Sequence, residues 1–203
     1  MELLEVLTLR IRILSLAQVG RTWWAHAAAP ATAPIRRLSQ LCQAGYVELV
    51  SVMAHPETEL AGPLVKWRPG HSPPDHGALA YRLRSRWTDP LVQTSCVVAT
   101  SFAGRFFGGY GGRAPRRAET THDLHLSAVF LQMRTNQPER AATWISEEGR
   151  KKQLEHGEKL PDAIVTDGDQ QTVIELGGKS YDRSKLVAFH EHCAGRNLAY
   201  EVW

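Results

Sequence analysis

Leu160-Pro161-Asp162-Ala163-Ile164-Val165, then the polar turn Thr166-Asp167-Gly168-Asp169, then Thr172-Val173-Ile174-Glu175-Leu176-Gly177-Gly178-Lys179, is the stretch that decides the fold. Asp-Gly between two apolar runs is a hairpin signal, so the two runs read as antiparallel strands. One carboxylate, Asp162, heads the first strand, and a second, Glu175, lies inside the next. Lys179 follows at an even offset, so alternation leaves it on the Glu175 face if the strand stays regular through Gly177-Gly178. Two acids and a lysine at one edge of a sheet suit metal-dependent phosphodiester chemistry. Carboxylate oxygens hold a hard cation such as Mg²⁺ or Mn²⁺. The metal polarises phosphate and activates water, and the lysine stabilises the charge that develops.

Working outward, Thr121 caps an expected helix from His122 to Arg134, which carries Asp123 as a further candidate metal ligand. Ala142 to Ser146 reads as a strand, and a charged helix or loop runs from Glu147 to Lys159. After the hairpin, Ser184 to Cys193 is helical, Gly195 ends it, and Leu198 to Trp203 is a last strand. The order helix, strand, strand, strand, helix, strand is the αβββαβ core of a restriction-endonuclease-like fold.

The front of the chain has a different plan. Leu3, Leu4, Val6, Leu7 and Ile11 give a helix over 2–12, and Ser15 caps a second one through Trp23 and Trp24. The alanine-rich stretch His26 to Thr32 breaks it, and Pro34 opens a third helix that runs to Gly45. Ile35, Leu38, Leu41 and Cys42 are its expected buried face. Tyr46 to Val52 then reads as a strand, with Leu64 to Arg68 as its hairpin partner. Three helices and a hairpin predict a winged helix-turn-helix that docks on duplex DNA. Arg36, Arg37, Ser39 and Gln40 on the third helix are candidate DNA contacts, with Lys66 and Arg68 on the wing.

In the middle, Ala78 to Leu83 reads as a strand, and so does Cys96 to Thr100. Ala103 to Arg113 is rich in glycine but lacks the Gly-Lys-Ser/Thr of a phosphate loop. With Arg113, Arg116 and Arg117 it reads as a flexible basic segment that touches a DNA backbone or links two domains.

Charge agrees with a nucleic-acid partner. Residues 1–117 hold fourteen Lys/Arg against seven Asp/Glu, whereas 118–203 hold ten against fourteen. The three cysteines, Cys42, Cys96 and Cys193, never form a Cys-x-x-Cys pair, which argues against zinc and a disulfide framework. With no long apolar run and no basic leader at Met1-Glu2-Leu3-Leu4-Glu5, the chain reads as cytoplasmic, with no membrane partner.

Pro161-Asp162 … Glu175-x-x-x-Lys179 resembles the PD-(D/E)XK nuclease signature. The winged helix, the Thr-His-Asp-Leu helix after an arginine-rich stretch, and the Pro-Asp and Ile-Glu-Leu-Gly segments together resemble the replication-relaxation family. The resemblance implies a DNA-handling protein of plasmids or other mobile elements, with Asp162, Glu175 and the Leu176 carbonyl as the metal ligands. It also exposes a departure, because the signature places lysine where this chain has Gly177. Lys185, His190 and His192 on the following helix are the substitutes within reach. The expected division is an α+β chain with a winged helix at 1–88, a basic connecting region at 89–117 and a nuclease-like domain at 118–203. Terminal and wing strands offer edges for a homodimer. Two functions follow as expectations: DNA binding with a weakened nuclease-like half, or a Mg²⁺-dependent endonuclease or nickase using Asp162, Glu175 and Lys179.

Overall fold

The computed structural model describes residues 1–26, 33–151 and 160–203. In chain order the elements begin α1 (Glu2–Leu9), β1 (Ile13–Ser15), α2 (Leu16–Trp23), α3 (Ala33–Gln43), β2 (Val47–Ala54) and β3 (Val65–Trp67). Next come α4 (His76–Ser85), β4 (Val92–Ala99), α5 (Ser101–Phe106), α6 (Thr120–Asn136), α7 (Pro138–Ala142) and β5 (Ile145–Ser146). The remaining elements are α8 (Glu147–Lys151), β6 (Ala163–Asp167), β7 (Gln170–Glu175), α9 (Arg183–Gly195) and β8 (Ala199–Val202). Among the described residues the class is mixed α+β with two sheets. Residues 27–32 of the alanine-rich break and 152–159 of the expected charged segment lie outside the described residues.

The chain forms two compact units, each built from two segments. Met1–Glu57 and Leu91–Leu131 make the first, and Thr58–Pro90 and Gln132–Trp203 make the second. The divisions read from composition at 88 and 117 do not coincide with these units. The segment Thr58–Pro90 interrupts the first unit and gives β3 and α4 to the second.

In the first unit the sheet order is β1-β4-β2, antiparallel throughout. β2 pairs with β4 over its whole length, from Val47 opposite Ala99 to Ala54 opposite Val92. The expected hairpin between Tyr46–Val52 and Leu64–Arg68 is therefore corrected, since β3 pairs with β8 in the other sheet. Chain proximity suggested the wrong partner, and the true one lies beyond an insertion. Ile13, Ala54, Cys96, Val98 and Leu124 form the core, where burial pushes the Cys96 thiol up to about 12 and keeps it protonated. Ser15 caps α2 as expected, its side chain accepting from the Gln18 N–H in a reciprocal capping box. On α3, Leu38 is fully buried but Ile35 is half exposed, contrary to the expected apolar face.

The glycine-rich stretch is packed, which corrects its reading as a flexible linker. The Tyr110 N–H donates to Thr8 at 2.7 Å and the Gly112 N–H to Ala99 at 2.8 Å. A Cβ on Gly109 would lie 2.1 Å from the Thr8 carbonyl oxygen, so only glycine lets the two backbones approach this closely.

In the second unit the sheet order is β3-β8-β7-β6-β5. β5, β6 and β7 form an antiparallel meander, and α9 crosses over to set β8 parallel to β7. The Asp167-Gly168 turn closes the β6–β7 hairpin, with Gly168 at φ +60°. One sheet face packs beneath α4 and α9, through Leu79, Leu83, Val173, Leu186, Phe189 and Val202. Ala78–Leu83, expected as a strand, lies within α4. Leu79, Ala80 and Leu83 share its buried side, and Asp75 caps it by accepting from the Gly77 and Ala78 N–H groups. By alternation Glu201 points to the other face, where it is buried with Arg140 at 3.1 Å and the Trp203 indole N–H at 3.1 Å.

Candidate functional site

The β6–β7 register brings the two expected acids together. The ladder ends where Ala163 faces Ile174, and the acids Asp162 and Glu175 are the next residue on each chain segment. Asp162 is half-buried, and its Oδ2 accepts the Leu176 N–H at 2.7 Å. Glu175 is 7% exposed and accepts a hydrogen bond from the Tyr181 hydroxyl. Burial, then the Glu175 charge and its hydrogen bond, then the Asp162 charge all raise the Tyr181 pKa. Both carboxylates thus act on one phenol, which stays protonated and donates.

The space where the signature places a lysine is filled. The Gly177 N–H donates to the Trp203 carbonyl at 3.0 Å, extending the β7–β8 ladder. A Cβ on Gly177 would meet Leu83 Cδ2 at 2.4 Å and Cδ1 at 2.5 Å. Helix α4 therefore occupies the volume a side chain at 177 would need. β7 ends at Glu175, so strand alternation does not extend to Lys179, which is exposed in the following turn. Of the substitutes, Lys185 has its ammonium 5.0 Å from the Tyr181 ring centre. His190 is buried with Nδ1 at 3.0 Å from the Tyr200 hydroxyl, and His192 Nδ1 lies 3.1 Å from Arg196 Nη1.

Magnesium needs near-octahedral oxygen ligands, of which a protein supplies carboxylates that remain available to the ion. Among the described residues no group of three or more His, Cys, Asp or Glu side chains is arranged to hold a metal ion. Asp123 belongs to the first unit, where its Oδ2 is 2.7 Å from Arg12 Nη1 and its Oδ1 is 3.4 Å from His122 Nδ1. The Tyr181 hydroxyl on Glu175 and the Leu176 N–H on Asp162 each engage one carboxylate oxygen of the pair.

The candidate DNA contacts separate into three groups. Arg36, Arg37 and Gln40 are exposed on α3, and Arg37 donates to Gln40 at 3.1 Å. Ser39 is half-buried and turns its hydroxyl back to the Ile35 carbonyl at 2.9 Å. Lys66 and Arg68 are not on a wing: Lys66 sits on β3 of the second unit, 3.5 Å from Glu201, and the exposed Arg68 follows that strand. Arg113 donates to both carboxylate oxygens of Glu119 at 3.1 Å, whereas Arg116 and Arg117 are exposed just before α6.

Sequence reasoning missed Tyr181 and the role of α4. The signal for Tyr181 was faint, a lone aromatic among polar residues directly after the acid strand. No family model, curated protein or solved structure matches the chain. Among the described residues no helix is long and apolar enough to cross a membrane.

Proposed function

We propose that this chain is a duplex-DNA-binding protein, of the kind carried by plasmids or other mobile elements, whose second unit keeps a closed nuclease-like acid pair. In the first unit the chain order α1-β1-α2-α3-β2-β4 and the sheet order β1-β4-β2 support a winged helix-turn-helix. α3 is then the recognition helix and the β2–β4 hairpin the wing, with Thr58–Pro90 inserted between its strands. The observation that carries the proposal is the exposed Arg36, Arg37 and Gln40 on α3 of that plan. Guanidinium groups reach phosphates and guanine edges, and a glutamine reads adenine.

In the second unit the antiparallel β5-β6-β7 meander, the α9 crossover and the parallel β8 support a PD-(D/E)XK-like core. Its two acids lie at the end of the β6–β7 ladder and both act on Tyr181, which favours descent from a cleaving enzyme. Leu83 over Gly177 and Tyr181 on Glu175 favour a site no longer open for cleavage. The test is nicking of supercoiled plasmid with Mg²⁺ or Mn²⁺ alongside duplex binding, for wild type, Asp162→Ala and Glu175→Ala. Duplex binding by all three without cleavage is the expected result. Cleavage by wild type that both substitutions abolish would establish an active endonuclease or nickase instead.

A further inference from the structure

The first unit carries an aromatic groove whose wall includes Arg37 of α3, a candidate DNA contact. α1 packs on α5, and α3 packs on α2 and β2. These two groups line a groove of about 520 Å³, with Trp23, Trp24, Tyr46, Phe106 and Phe107 along it. The rings extend beyond it, since Phe102 lies 5.2 Å from Tyr46 and 6.4 Å from Phe106 between centres. Phe106 is 63% exposed and Phe102 47%. Scattered apolar residues on a surface need no explanation, but a contiguous aromatic cluster marks a place where something docks.

Charge selects the occupant. Glu2 on α1 and Arg37 on α3 both line the groove, and Trp23 Nε1 holds the Glu2 carboxylate at 3.2 Å. A single-stranded nucleic acid prefers aromatic platforms flanked by cations alone, and a carboxylate in the groove repels its phosphates. One acid and one base suit a partner that offers the same two groups in reverse order. A twofold-related copy does this automatically, because an isologous interface must complement itself.

We propose that this groove is the docking face for a second copy of the chain, with Glu2 of each copy set against Arg37 of the other. A fully covered aromatic side chain buries about 150–250 Å². Six partly exposed rings then contribute on the order of 500 Å² a side, toward the roughly 800 Å² a side of a standard interface.

The experiment is sedimentation velocity over a concentration series, without DNA, for wild type, Phe106→Glu, Glu2→Arg, Arg37→Glu and the Glu2→Arg/Arg37→Glu double variant. Circular dichroism confirms that each is folded. Wild type is expected to dimerise with rising concentration, and each single substitution to weaken the dimer by about tenfold or more. The double variant, which restores opposite charges across the twofold axis, is expected to recover most of the loss. Monomers at every concentration would overturn the proposal, as would a double variant no better than the singles. Capture of a labelled single-stranded oligonucleotide by monomeric wild type, lost in Phe106→Glu, would assign the groove to nucleic acid instead. Because the dimer is read without duplex, its failure is separable from failure of DNA binding.

Discussion

At Gly177 a missing side chain has a structural cause. Leu83 of α4 is fully buried and sits within 2.5 Å of where a Cβ would be, so Gly177→Ala must displace it. Overpacking of this kind costs about 1–3 kcal/mol. A urea-denaturation cycle with Leu83→Ala should show that the two costs do not add, with a coupling above about 0.5 kcal/mol. Additive costs would mean that α4 does not fill the site. Tyr181→Phe removes a hydroxyl from the buried Glu175 and should destabilise by about 1–3 kcal/mol at neutral pH, read from the same urea midpoints. An unchanged midpoint would show that the hydroxyl does not hold the acid. His125 sets a pH dependence. Burial lowers its pKa, outweighing a raising contact with the Thr121 carbonyl at 2.7 Å. The unfolded chain then binds a proton more readily than the folded one, with an ordinary histidine value of about 6.5. Stability is therefore full above about pH 6.5 and declines as pH falls toward the lowered folded value. His76 in the second unit acts in the same direction through burial and His190. Urea midpoints recorded across this range should fall on the acid side, and less so in His125→Gln.

At the scale of elements, what was legible had local signals. Ser15 and Gln18 announce the start of α2, Pro34 and Gly45 bracket α3, and Asp167-Gly168 closes the β6–β7 hairpin that brings Asp162 and Glu175 together. These depend on residues a few positions apart. The pairing of β2 was not legible, because its partner β4 lies beyond the inserted Thr58–Pro90 and nothing local marks the detour. α4 was misread for another reason: apolar Ala78, Leu79, Ala80 and Leu83 fit a short buried strand as well as a helix face, and periodicity over six residues does not separate them. The position of Lys179 depended on strand regularity through two glycines, and β7 stops before them. If α3 is the element that meets DNA, Arg36→Ala and Arg37→Ala should weaken duplex affinity. Phosphate contacts should do so about equally on all sequences, and a base contact mainly on the cognate site. Fluorescence anisotropy on cognate and scrambled duplexes distinguishes the two. Full affinity in both variants would move the interface off α3.

For the whole molecule, the interleaved units change what the charge distribution means. Divided at residue 117, the chain reads as a basic front and an acidic back. Divided by its units, the first holds nine Lys/Arg against six Asp/Glu and the second fifteen against fifteen. The insertion carries Lys66, Arg68, Arg82, Arg84 and Arg86 into the acid-rich unit and neutralises it. The DNA proposal therefore rests on where cations are exposed on α3, more than on a contrast between halves. The most direct test is the salt dependence of duplex affinity, for wild type and for the Arg36→Ala/Arg37→Ala double variant. Each phosphate neutralised adds about 0.9 to the slope of log K against log salt. The account predicts a steep fall in affinity for wild type, and a slope shallower by about two in the double variant if both arginines contact phosphate. A flat response, or no duplex binding even at low salt, would contradict it.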